Sequence, residues 1–221
     1  MKSLPLLVID ISKTRSLTFY ERFLIYGAAS ISYKEIQGLS YLLTRTKYSL
    51  NSIPTGTQSS FEIRFDVNGQ LYKIASSASS SLFRGQKSRE EKEEIFAKLV
   101  HVMDNLIKPF VVVNVLIRYA KENKLKIDWL TITPKGLYRK RLLRQPELLL
   151  WEQYHSSVLH QGVLYVLKQD AAKEYKTFFS CPMSAMNAVI LPDVLTFLFQ
   201  RHGTLDQATI KYLENKRASL L

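Results

Sequence analysis

The sequence predicts an α+β fold of two unequal units. Each is a set of strands that must bury one sheet face under its own closing helix, and one extra helix follows at the end. Three observations lead there. Landmarks recur in the same order in both halves: a strand turning at glycine ("FLIYGAAS" around Gly27, "LTITPKGLY" around Gly136), an aromatic residue with acidic company (Tyr33, Trp151), and a Gly-x-Leu-Tyr strand at Gly69 and Gly162. Strand-length runs carry alternating apolar residues. Longer stretches that close each half carry them at three- and four-residue spacing.

Composition narrows the class. Of 221 residues, 46% are hydrophobic and 23% charged, the balance of a core-forming soluble chain. The opening run "LPLLVIDIS" meets Asp10 early and no small-residue cleavage site follows, which argues against a secretory signal. "PFVVVNVLI" and "AVILPDVLTFLF" are shorter than the ~18 residues of a spanning helix, so no transmembrane segment is expected. Cys181 is the single cysteine, which excludes an internal disulfide and any multi-cysteine metal site. The expectation is a cytoplasmic protein, peripheral at the inner membrane surface.

Net charge is +12. Residues 1–87 carry +6, residues 88–124 carry +1 and residues 125–221 carry +5, so the excess sits on the strand-rich parts. Such a balance favours anionic partners, or simply a soluble surface.

Residues 4–75 read as strands. In "FEIRFDV", Phe61, Ile63, Phe65 and Val67 alternate with Glu62, Arg64 and Asp66, the period of a half-buried strand. Asn68-Gly69 suits a tight hairpin turn. "NSIPTGTQSS" and the serine tract Ser76–Ser81 read as loops, which places early proteolysis at Thr55–Ser60 or Ser76–Ser81. Ser88 and Glu91 fit a capping box opening a helix over about 88–122, with a kink or break at Pro109. "IDWLTITPKGLYRKRLL", "ELLLWEQYHSSVL", "GVLYVLKQ" and "EYKTFFSCP" read as strands of the second half. A helix over about 187–202 follows, with Pro192 in its first turn and Gly203 past its end. Thr204 and Gln207 fit a second capping box for a terminal helix over about 204–217. The domains are thus 1–124 and 125–221.

The "Y-K-E-I" and "W-E" strands, Gly-x-Leu-Tyr, the long helix, "LTITPKGL" and a closing "P-x-x-x-x-N-A" (Pro182 to Asn187) together resemble uncharacterised bacterial tandem pleckstrin-homology-like (PH-like) proteins. The resemblance covers nearly the whole chain and rests on structural motifs. It implies two bent sheets, each capped by a helix, and no catalytic residue. About 55 residues supply every strand of the second copy, so fewer than seven are expected there.

Candidate chemistry is sparse. Apolar neighbours in "FFSCPMS" favour a buried structural Cys181 over a nucleophile. His155 and His160 lack ligand spacing and company, and Glu147 and Glu152 fall on opposite strand faces. No phosphate-cradling glycine loop is present, and no cofactor is expected. A non-catalytic binding or scaffold module is the reading, with an unrecognised enzyme site as an alternative.

The best candidate is the basic segment "TPKGLYRKRLLRQ": Lys135, Arg139, Lys140, Arg141 and Arg144, around the expected first turn of the second copy. The resemblance makes that turn suggestive of an inositol-phosphate site; the alternative is a solvated basic strand. Alternation puts Arg139 and Arg141 on one face and Lys140 on the other. Lys73, Arg84 and Lys87 form a second basic rim. Acidic lipid head groups or an acidic protein are the favoured partners. Nucleic acid is less favoured, because Tyr138 is the segment's single stacking platform. A protein partner would need an apolar patch, sought on the terminal helix.

Overall fold

The computed structural model describes residues 4–12, 15–50, 53–81, 86–140, 145–169 and 174–220. It is an α+β fold of four antiparallel sheets, one long helix and two shorter ones. Strands β1 (Leu7–Ser12), β2 (Arg15–Phe19), β3 (Phe23–Tyr26) and β4 (Ala29–Ser32) form a meander. A one-turn 3₁₀ helix, Tyr33–Glu35, leads into a second meander of β5 (Ile36–Leu50), β6 (Ile53–Val67) and β7 (Gln70–Ser81). Helix α1 (Gln86–Val102) follows and continues through a π turn, Met103–Ile107, into α2 (Lys108–Glu122).

The order then recurs. Strands β8 (Leu125–Ile127), β9 (Leu130–Thr133), β10 (Gly136–Arg139) and β11 (Glu147–Leu150) form a four-stranded meander, and the 3₁₀ turn Trp151–Gln153 follows. Strands β12 (Tyr154–His160), β13 (Val163–Gln169) and β14 (Tyr175–Pro182) then form a three-stranded one. Helices α3 (Leu191–Phe199) and α4 (Gln207–Ser219) close the chain. Among the described residues the second half therefore has seven strands, not fewer. They fit because several are only three or four residues long and the turns are tight, as at Asp128-Trp129, where Asp128 takes φ 52.

The chain forms two compact units, one of Met1–Ile36 with Tyr41–Pro109, the other of Gln37–Ser40 with Phe110–Leu221. In the first, Ile9, Ile11, Leu17, Phe19, Leu24 and Ile31 alternate into the core from β1–β4. Asn68-Gly69 makes the expected hairpin turn, joining Val67 to its partner Gln70. The ladder does not stop where loops were expected. It runs on to Gly56 opposite Ser81, so the two supposed loops pair with each other. One contact shows how α1 lies close: the small, buried Ser59 donates to Glu93 (2.8 Å), and Phe61 packs on Phe96 at 5.7 Å.

Further bonds tie α1 to the strands. Lys92 Nζ donates to the Ile11 carbonyl (2.7 Å), and Arg45 pairs with Glu93. The buried Tyr41 hydroxyl donates to Asp104 (3.1 Å); burial, then the Asp104 carboxylate, push its pKa far above the ordinary phenol range. Helix α1 begins at Gln86, so Ser88 lies inside it and does not cap it; its side chain is outside the described residues. Pro109 does not break the helix. The irregularity falls one turn earlier, where the π turn absorbs the bond that proline cannot donate. By length and composition the helical run Glu90–Glu122 could cross a membrane, yet half of its most apolar window is buried in the protein.

In the second unit α2 buries Phe110, Val111, Val113, Val115, Leu116, Ile117 and Tyr119, as its near-continuous apolar sequence demands. Asn187 grips the 37–40 segment of β5 from both sides: its N–H donates to the Leu39 carbonyl (2.8 Å), and Leu39 N–H donates to its Oδ1 (3.1 Å). Helix α3 carries Pro192 in its first turn, as expected, but starts at Leu191 because 183–190 are turns. The cap of α4 is Asp206, which accepts from Thr209 N–H (2.8 Å), and not Thr204, whose hydroxyl turns back to the Arg201 and His202 carbonyls.

The landmarks of the repeat divide. Tyr33 and Trp151 are equivalent: each opens the 3₁₀ turn between two meanders, is buried, and reaches back to a carbonyl at the end of its unit's second strand. The Tyr33 hydroxyl donates to Tyr20 O (2.7 Å) and Trp151 Nε1 to Thr133 O (3.1 Å). The glycines are not equivalent. Gly27 turns β3 into β4 whereas Gly136 starts β10, one strand early; Gly69 precedes β7 whereas Gly162 precedes β13, again one strand out of step.

Two outcomes follow from these contacts. Asn187→Ala leaves Leu39 N–H buried without its acceptor and puts an alanine at φ 70, so it should cost about 2–3 kcal/mol in urea unfolding, against less for Asn187→Asp, which keeps an acceptor. Limited proteolysis should leave residues 57–66 and 71–80 uncut while the native fold persists, because both strands are paired there. Early cleavage inside those spans would contradict the ladder.

Candidate anion-binding site

The basic segment is built around the β9–β10 hairpin. Its turn, Pro134-Lys135, rests on a buried clamp. The Trp151 indole holds the Thr133 carbonyl, Thr133 Oγ1 donates to Gly136 O (3.1 Å), and Tyr119 donates to Gly203 O (2.6 Å). Gly203 packs against that indole so closely that a Cβ there would lie 2.0 Å from Trp151 Nε1 and 2.8 Å from the Pro134 carbonyl. Gly136 adopts φ 146, and a Cβ would meet the Leu149 carbonyl at 2.2 Å. Neither position tolerates a side chain without movement of backbone or indole. Lys135 is exposed on this rigid turn.

Arg139 behaves differently. Leu137 is fully buried, so alternation turns Arg139 to the core face as well. There its guanidinium pairs with Glu147 on β11 and lies 5.0 Å from the centre of the buried Phe178 ring. Lys168 on β13 joins the same carboxylate (3.1 Å) and the same ring (5.9 Å). The Arg139 Nε is buried with no hydrogen-bond partner among the described residues. This triad spends much of the Arg139 charge inside the unit, where the cation also covers an aromatic face.

Lys140 is exposed at the far end of β10, its N–H donating to the Trp129 carbonyl (3.1 Å). Five residues of extended chain separate it from Lys135, about 16 Å. Lys135, Arg139 and Lys140 therefore do not converge on one phosphate. Arg141 and Arg144 lie outside the described residues. The segment is also not the first turn of its sheet. That is Asp128-Trp129; Lys135 sits in the second, and Lys140 leads into the third connection. The short β8 caused the error, since "LKIDWLTIT" reads as one run unless Asp128 is allowed a left-handed turn.

Lys168, Glu147 and Phe178 were not connected to the segment in sequence, because they come from β13, β11 and β14 and no local spacing links them. Of the second basic rim, Lys73 is paired with Glu62, which also receives Arg64; Arg84 and the Lys87 side chain are outside the described residues. Burial raises the Glu62 pKa, but hydrogen bonds from Lys73 and Arg64 outweigh it, and the net shift is downward. Helix α4 exposes Tyr212 and buries Leu213, and its remaining outward residues are mostly polar.

His155 stacks on Tyr175 at 4.0 Å, and no group of three metal-ligating side chains occurs among the described residues. Glu152 lies in the 3₁₀ turn, away from the strand that holds Glu147. Two open depressions mark the first unit. One of about 230 Å³ lies by Leu42, Phe61 and Glu62; another of about 240 Å³ lies by Arg15, Ile25 and Tyr26. Cys181 is buried, and desolvation, then the Asp128 carboxylate, push its thiol up to about 11. No protein-family model matches the chain, and no curated protein matches it.

The thiol gives a direct check. Native protein at about pH 8 should react with a thiol reagent at least tenfold more slowly than unfolded protein, since a raised pKa and burial both withhold the thiolate.

Proposed function

We propose that the chain is a non-catalytic binding module of two PH-like units that attaches weakly and reversibly to acidic lipid head groups. The PH-like reading is supported by the common element order, four strands, a one-turn helix, three strands and a helix, and by the equivalent Tyr33 and Trp151 anchors. The lipid reading is carried by one observation. Lys135 and Lys140 are exposed at the two ends of a rigidly held β10, with no ion pair among the described residues. Cations spaced this far apart suit a surface of many phosphates better than one small anion. Each lysine near an acidic bilayer contributes about 1 kcal/mol, and exposed charges are screened within about 8 Å at physiological ionic strength.

Flotation with vesicles tests this. The protein should float with phosphatidylserine-containing vesicles and not with neutral ones, and binding should fall steeply as salt rises. Lys135→Glu combined with Lys140→Glu should weaken it by on the order of a hundredfold. Arg139 is left intact because replacing it would remove its ion pair with Glu147 inside the unit. Equal flotation of the double variant makes these lysines solvated surface only.

A further inference from the structure

We infer that the outer face of the β8–β11 sheet, with Trp129 at its tip, is the surface that lies on the bilayer, the indole entering the head-group layer. This rests on the lipid-binding reading and names the contact. The register places Lys126, Thr131, Tyr138 and Leu148 in one row across the four strands. Their neighbours along each strand, Leu125, Ile132, Leu137 and Leu149, are buried, so this row faces outward.

The face is apolar and cationic together. Trp129 is 52% exposed, Leu148 37% and Leu150 42%. Exposed Lys124, Lys126, Lys135 and Lys140 stand on it or at its ends. The acidic groups beside them are Asp128 in the tip, Glu122 before Lys124 and exposed Glu152 just past Leu150, while Glu147 is turned inward to its triad. Trp129 is held next to Lys140 by the bond from Lys140 N–H.

That combination matches an anionic bilayer. An indole is amphipathic and settles at the head-group level, leucines gain by leaving water, and lysines meet lipid phosphates. Single-stranded nucleic acid fits less well, since Trp129 and Tyr138 would stack a base but the exposed aliphatic Leu148 and Leu150 beside them gain only from an apolar layer. The spread of the lysines over the sheet lets each meet its own head group.

Tryptophan emission of the full chain reads the contact, because the second indole, Trp151, is 2% exposed and bonded inside. Phosphatidylserine vesicles should shift the emission to the blue and shield it from acrylamide, and Trp129→Phe should abolish the change. Trp129→Ala should float roughly tenfold more weakly at fixed salt, with an unchanged urea midpoint. If the wild type floats but its emission stays that of an indole in water, and Trp129→Ala floats equally, the face assignment is overturned while lipid binding stands. A wild type that does not float overturns both. An emission shift with a single-stranded oligonucleotide and none with vesicles overturns lipid as the occupant.

Discussion

Each half of the chain hands one meander over to the next at a single buried aromatic residue, and much else depends on that junction. A 3₁₀ turn exposes backbone groups that must find partners, and the aromatic ring fills the space under the sheet while its polar tip takes up one strand-end carbonyl. Tyr33 does this with Tyr20, and Trp151 with Thr133. In the second unit the indole also sets where Gly203 passes. The Gly203 carbonyl in turn receives the Tyr119 hydroxyl of α2. One side chain thereby relates the β9–β10 turn, the end of the α3 region and the long helix.

The same junction shapes the surface. Because the hairpin is fixed from below, the side chains of β10 have no freedom to choose a face. Arg139 is committed to the inside, and its charge is answered by Glu147 over the Phe178 ring. Lys140, one residue on, is left to solvent. Of the basic run, the described residues are one half-buried structural cation, Arg139, flanked by the exposed Lys135 and Lys140. Net charge alone therefore overstates what such a segment presents to a partner.

Asn187 illustrates how a motif can be visible while its purpose is not. Its place after Pro182 stands out in the sequence, but its partner, Leu39, lies 148 residues away. The side-chain amide acts there as a spare peptide group, accepting from Leu39 N–H while the Asn187 backbone returns the second bond. Asparagine tolerates the left-handed backbone that this position needs.

By itself the sequence determined the α+β class, the Asn68-Gly69 hairpin, the apolar burial of α2 and the equivalence of Tyr33 with Trp151. All of these rest on local periodicity, turn chemistry or one large buried side chain. Tertiary structure alone decided the rest. Serine tracts that look like loops became strand because each supplied the other's hydrogen bonds. Glycine landmarks slipped by one strand because turns of different hairpins use the same residue. The basic segment was divided between core and surface because β11, β13 and β14 bring Glu147, Lys168 and Phe178 to the side of β10 that Arg139 faces, while Lys135 and Lys140 stay exposed. Partners that distant leave no trace in local spacing.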